Sequence, residues 1–146
     1  MPRGDRPPLL TGASGLPAPS QRPNVDTQPF WDGTAEGKVV LPRCNACQFV
    51  IWYPRHFCPD CGSTDVSWFE ASGRGTVYSY TVTRKGQGMY REAGPFVIAF
   101  VELDEGPRVM TNIVGCDPDT VRIGQPVVAT FDDTGQGHSL LRFTPP

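Results

Sequence analysis

Four of the five cysteines fall into two C-x-x-C pairs, Cys44-Asn45-Ala46-Cys47 and Cys58-Pro59-Asp60-Cys61, with ten residues between them. A two-residue gap lets one tight turn present both sulfurs to a single ion, and two such turns complete a tetrahedron of thiolates. Gly62, directly after the second pair, readily takes the positive φ that closes such a turn. Four thiolates leave no open coordination position, so the chemistry is structural and Zn2+ is the expected occupant. Iron in a rubredoxin-like site is the alternative, because sulfur ligation alone does not separate the two metals. A thioredoxin-type redox motif fits less well. It needs one C-x-x-C opening a helix, whereas here the pairs flank a strand-like run at 49–53.

No second constellation matches the cysteines. The chain has two histidines, His56 and His138, and lacks G-x-S-x-G, a P-loop or G-x-G-x-x-G. His56 lies two residues before Cys58 and reads as a neighbour of the site, not as a ligand. Cys116 has no evident base beside it and reads as a small apolar side chain. Glu102, Asp104 and Glu105 cluster at a turn, where a solvated acidic bend is the simpler reading than acid–base chemistry. No catalytic residues are assigned.

The elements that must hold the thiols can be read from the pattern around them. Before the first pair, Asp26 or Thr27 can cap a short helix carrying Phe30 and Trp31, limited by Gly33 and Gly37. Then come Val39-Val40-Leu41, the first knuckle, a second strand at 49–53 and the second knuckle, which together make a ribbon. Trp52, Tyr53, Trp68 and Phe69 are expected to cover the seam between this ribbon and the β-rich remainder of the chain. A ribbon of this size buries too little to fold alone, so the metal supplies the missing free energy. From 66 onward the period is two. Strands are expected at 76–83, 95–103, 108–114, 127–131 and 139–143, with a one-turn element at 117–119. Five strands with a short non-strand element between the third and fourth is the order of an OB-fold barrel. The predicted fold is therefore mainly β: a short N-terminal helix (26–38), a rubredoxin-like zinc ribbon (39–68) and a five-stranded OB-fold barrel (69–146).

Composition bounds the rest. The 146 residues carry a net charge of −2 with 16 glycines and 16 prolines, which favours short strands and turns. Residues 1–25 hold six of those prolines and read as a disordered leader. Arg3, Arg6 and Arg22 against Asp5 make that stretch +2, leaving −4 for the remainder. The acidic balance and the presence of only two lysines, Lys38 and Lys85, argue against a nucleic-acid partner, although ribbons and OB barrels do that work elsewhere. No apolar run approaches the ~20 residues needed to span a bilayer, and no secretory signal is visible. Reduced thiols in a metal site then suit a cytoplasmic protein. Phe30 and Trp31 either pack on the metal module or line a groove. With Tyr90 on the glycine-rich loop at 85–94 they are candidate contacts for a partner, and Arg84, Lys85 and Arg91 are candidate contacts for ligand phosphates.

Several stretches resemble one known family in the right order. These are Phe30-Trp31 with Gly37, the C-x-x-C…C-P-x-C-G ribbon, Gly73-Arg74-Gly75-Thr76-Val77-Tyr78-Ser79-Tyr80, Val101-Glu102-Leu103-Asp104-Glu105-Gly106-Pro107-Arg108, and Val114-Gly115-Cys116-Asp117-Pro118. Over about residues 27–146 the chain is similar to the prokaryotic zinc-ribbon/OB-fold proteins long classed as a domain of unknown function and encoded beside thiolase-like enzymes. The resemblance implies an accessory, non-catalytic subunit of a thiolase-superfamily enzyme, either a thiolase or a lipid-transfer-protein-like aldolase. It would assist acyl-CoA handling in lipid or steroid side-chain metabolism. It also implies a hetero-oligomer, with acyl-CoA as a ligand of the assembly. Some relatives carry a fused hydratase-like domain, for which 146 residues leave no room, so a stand-alone subunit is expected. Only Cys44, Cys47, Cys58 and Cys61 carry over from the family residue by residue.

Overall fold

The computed structural model describes residues 9–146, and the expectation for residues 1–8 lies outside them. A two-stranded hairpin, β1 (Leu10–Thr11) and β2 (Pro17–Ala18), leads into helix α1 (Gln28–Ala35). Strand β3 (Val40–Cys44) pairs antiparallel with β4 (Val66–Glu70), and the two knuckles lie between them. Strands β5 (Arg74–Thr83), β6 (Phe96–Leu103), β7 (Arg108–Ile113), β8 (Pro126–Asp133) and β9 (Ser139–Thr144) close a barrel in the order β5-β6-β7-β9-β8. That is the OB-fold order, and a one-turn 3-10 helix at Pro118–Thr120 stands between its third and fourth strands.

Barrel closure requires β5 to bend. Its pairing with β6 shifts between Val77 and Ser79, leaving Tyr78 as the extra residue of a bulge. At Gly75 the two strands come so close that a Cβ would lie 2.6 Å from the Glu102 carbonyl oxygen. Inward residues of β6 (Val97, Ala99, Val101, Leu103) alternate with outward ones, as a half-buried strand must. Val77, Val109, Val121, Val127 and Phe143 complete the interior.

Helix α1 is the wedge between ribbon and barrel. Pro29 sits in its first turn, and Gly37 (φ 70°) ends it, with Lys38 N–H donating to the Gly33 carbonyl. Thr27 occupies the N-cap position, but its hydroxyl accepts from Asn24 N–H, while Asn24 Oδ1 accepts from Thr27 N–H. Phe30 meets Trp52 of the ribbon edge-on at 5.4 Å, and Trp31 meets His138 of the barrel at 5.2 Å. Both aromatics are buried, at 2% and 8% exposure, in the core that also holds Leu41 of β3. Trp52, Trp68 and Phe69 pack against the same core, whereas Tyr53 turns outward.

Two expectations need correction. The predicted strand at 49–53 is absent apart from one bridge, Val50 with Arg43, because the partner strand of β3 is β4, beyond both knuckles. Residues 9–25 are not a disordered leader. Leu16, Pro17 and Ala18 are buried, and Leu16 packs with Phe96 and Val114 on the barrel. Local composition points to disorder, but long-range contacts hold this segment.

Candidate metal centre

The two knuckles repeat one backbone arrangement. In the first, Cys44 N–H donates to the Phe49 carbonyl and Gln48 N–H to the Cys44 carbonyl. In the second, Cys58 N–H donates to Ser63 and Gly62 N–H to Cys58, all at 2.8–2.9 Å. Each turn ends on a left-handed residue, Gln48 at φ 66° and Gly62 at φ 77°. The second reflects glycine's freedom. The first is carried by a side chain, with Gln48 Nε2 donating to the Asn45 carbonyl at 3.1 Å. The position after Cys47 is thus the structural counterpart of Gly62, a relation that a non-glycine residue hides in the sequence.

These turns bring four sulfurs within 4.8 Å of one another. Cys44 and Cys61 are 3.6 Å apart, as are Cys47 and Cys58. Those separations are far too long for disulfides and close to the edge of about 3.8 Å expected for a tetrahedron with Zn–S bonds of about 2.3 Å. Cys44 and Cys58 lie at zero exposure beside Ile51, and Cys47 and Cys61 face outward.

The electrostatics of the cluster also fit a cation. Backbone N–H groups of Cys47 and Ala46 bring the Cys44 thiol down to about 7, against the effect of burial. At Cys47 the Phe49 N–H pulls the same way, but burial and the three neighbouring sulfurs outweigh it and push the thiol up to about 12. One charge is accommodated by the backbone; four need a metal. The donor set and its geometry therefore fit a bound metal ion with no open ligand position.

His56 is exposed, and its Nδ1 bonds Asp26. That contact ties the second knuckle to the residues before α1 and places the imidazole outside the ligand set. Cys116 is half-buried and packs against the main core.

The other candidate contacts separate into two groups. Phe30 and Trp31 are core residues of this chain and do not form a contact surface. Arg84, Lys85, Tyr90 and Arg91 all lie on the segment between β5 and β6. Arg84 is held by a bidentate pair with Asp119, whereas Lys85 and Arg91 make no ion pair among the described residues. Tyr90 is half-buried against Phe96, with ring centroids at 5.2 Å. Sequence reasoning missed the outer face of β5–β6–β7, where Tyr78, Phe100 and Met110 are 48%, 44% and 65% exposed. Phe100 and Met110 are directly paired. The Arg108 guanidinium lies over the Tyr78 ring at 3.6 Å and bonds Glu102 at 2.8 Å. Outward apolar residues in an otherwise alternating strand were the available signal.

Among the described residues no helix is long and apolar enough to cross a membrane. Residues 31–67 match the rubredoxin-like zinc ribbon domain of ChsH2, and residues 68–132 match its C-terminal OB-fold domain. A probable enoyl-CoA hydratase alpha subunit of Thermomonospora curvata is 38% identical over 84% of this chain, which spans only 38% of that relative. A DUF35 domain-containing scaffold protein of Methanocaldococcus jannaschii is 39% identical over 64% of this chain and 67% of its own length. Among solved structures, an Ltp2–ChsH2(DUF35) aldolase includes a chain that superposes with TM-score 0.76 and 37% identity. The match covers 86% of this chain and 98% of that one.

Proposed function

The chain belongs to the ChsH2 (DUF35) family of zinc-ribbon and OB-fold proteins, and we propose that it is a scaffold subunit for a thiolase-superfamily enzyme of the Ltp2 aldolase type. The observation that carries this reading is the correspondence along 98% of a chain taken from an Ltp2–ChsH2(DUF35) aldolase. Described residues of this chain offer no nucleophile–base pair and one closed metal site, so it contributes shape and surface to the assembly and no turnover of its own. The site's ion is zinc, and its role is to hold the ribbon against α1 and the barrel. A reducing cytoplasm suits such a site.

The outer face of β5–β6–β7 supports the same reading. Exposed apolar patches mark interfaces on soluble proteins, and aromatic and methionine side chains are enriched in them. Its charges are already paired within the chain, Arg108 with Glu102 and Arg74 with Asp104, so the complementary surface is apolar and uncharged. The pairing of these cations also weighs against a phosphate-tracking stripe for nucleic acid. Acyl-CoA is the ligand of the assembly on this reading.

Co-expression with an Ltp2-type aldolase, followed by size-exclusion chromatography, tests the proposal. Co-elution in a fixed ratio is expected. Separate elution of two well-folded proteins would remove the reading.

A further inference from the structure

The ribbon and the barrel meet along a groove of about 450 Å³. One wall is the run between the knuckles, with Phe49, Val50 and Trp52, and the other is the β6–β7 turn, with Glu105, Pro107 and Arg108. Backbone contacts fix both walls. Ile51 N–H donates to the Pro42 carbonyl at 2.9 Å and Val50 bridges Arg43, which holds the run beside β3. Leu103 N–H donates to the Pro107 carbonyl at 2.9 Å, and Asp104 N–H to the Arg74 carbonyl at 3.0 Å, which holds the turn beside β5. Phe30 of α1 braces Trp52 edge-on, while Phe49 stands open to solvent at 42% exposure.

Glu105 is the acid in this lining, and no cation of the described residues pairs with it. Its Oε1 accepts from Ser72 N–H at 2.6 Å. Its Oε2 is buried and has no hydrogen-bond partner among the described residues. The cations around the turn are engaged elsewhere: Arg74 faces Asp104 at 3.5 Å, and Arg108 bonds Glu102 at 2.8 Å. A buried carboxylate oxygen costs free energy until a donor meets it, and a charged donor offsets that cost best. The walls narrow the choice of donor. Phe49 and Trp52 are aromatic, and a planar guanidinium stacks on such rings while its fork of N–H groups reaches a carboxylate. An ammonium has neither the plane nor the fork. The chain makes the same stacking twice itself, with Arg43 over Phe69 at 4.0 Å and Arg108 over Tyr78 at 3.6 Å.

We propose that this groove receives an arginine side chain of the partner enzyme, its guanidinium paired with Glu105 and stacked against Phe49 and Trp52. The inference rests on the scaffold reading for the identity of the partner and adds one charged contact to an otherwise apolar surface. Arg108 joins the two, since it lines the groove and lies over Tyr78 of the outer β5–β6–β7 face. One docking event therefore covers both. An apolar face alone tolerates sliding, and an ion pair at its edge fixes the register of the partner.

Two measurements on the zinc-loaded full chain test it. In the first, NMR of the Trp52 indole N–H follows titration with the peptide acetyl-Gly-Arg-Gly-amide, and with its citrulline and lysine counterparts. Saturable shifts with the arginine peptide are expected, with weaker binding of the lysine peptide. Replacing arginine by citrulline, or Glu105 by Gln, should weaken binding at least about tenfold. Glu105→Gln keeps an acceptor for Ser72 N–H and removes a buried charge, so the free chain should melt no lower than the parent. A lower melting temperature would make the carboxylate structural and overturn the proposal. Absence of saturable shifts with the arginine peptide would overturn it as well, as would equal binding of either counterpart or unchanged binding in Glu105→Gln. In the second, the affinity for an Ltp2-type aldolase should fall at least about tenfold in Glu105→Gln and also fall in Phe49→Ala. An aldolase complex of unchanged affinity in Glu105→Gln would sink this inference and spare the scaffold reading. Arginine-peptide binding without any aldolase complex would support the site and remove the scaffold reading.

Discussion

Asp132 of β8 and Arg142 of β9 form an ion pair with side chains only 4% and 2% exposed, and the N-terminal segment seals it. The two residues are diagonal neighbours, since Asp132 is paired with Leu140 and Thr130 with Arg142. Ser14 donates to Asp132 through both its N–H (3.1 Å) and its hydroxyl. Arg142 donates to the Ser14 hydroxyl at 2.9 Å and the Pro17 carbonyl at 2.6 Å. Gly12 lies so close to Asp132 that a Cβ would collide with the carboxylate. Fixing the N-terminal segment therefore satisfies both buried charges.

Removing one partner leaves the other charge buried and unpaired. Asp132→Ala is expected to destabilise by about 3–5 kcal/mol in urea unfolding. The double variant Asp132→Leu/Arg142→Met should recover much of that loss. Equal destabilisation by the single and double changes would show that packing, not charge, dominates the site.

On the proposed reading the ribbon depends on an ion held by its four cysteines. Purified protein should hold about one zinc per chain, and Cys58→Ser should release it and unfold the knuckles while barrel strands persist. Elemental analysis and near-UV circular dichroism check the two halves of this statement. Metal-free protein with an intact ribbon would contradict it.

Gln48 carries a left-handed conformation that Gly62 carries freely in the second knuckle. Gln48→Gly should therefore raise stability by a few tenths to about 1 kcal/mol while keeping the metal, less the lost bond to Asn45. Gly62→Val should lower stability by more than that. Thermal melts of the zinc-loaded variants decide the order.

Arg84 holds the Asp119 carboxyl below the usual carboxylate range, first through its hydrogen bonds and then through its charge. A carboxyl depressed in the folded state contributes stability above its unfolded pKa of about 3.9, and that contribution fades as pH falls through the folded value. Carbon-detected NMR should place the Asp119 midpoint below about 3.9, and Arg84→Ala should move it upward. An unchanged midpoint in the variant would refute the pairing in solution.

Trp31 reads in the sequence either as packing on the metal module or as a candidate partner contact, and His138 has no role assigned there. Both are buried and face each other, and His138 Nε2 accepts from Gln21 N–H at 2.9 Å. Trp31→Ala should cost about 3–5 kcal/mol of folding stability. Met110→Glu on the outer face should leave stability nearly unchanged and weaken binding of the aldolase.

The metal centre was legible because its information is local: spacing fixes which sulfurs can converge. The barrel was legible because alternation persists along each strand. The features that stayed hidden depend on distant partners. Ser14 and Asp132 are 118 residues apart, so nothing in the composition of residues 9–25 announces that this segment will be ordered. The run at 49–53 has strand-forming residues, but β3 already has β4 as its neighbour through five paired residues. The outer apolar face was visible as residues and not as a surface, since only the β5–β6–β7 register brings Phe100 and Met110 together.

The rate of aldol cleavage by a purified Ltp2-type enzyme, measured against increasing concentrations of this chain, decides whether the chain is its scaffold subunit. No turnover by the chain alone is expected, with a rise in the enzyme's rate that saturates at a fixed ratio of the two proteins. An aldolase that is fully active alone and indifferent to the chain, or turnover by the chain without it, would rule out the scaffold role.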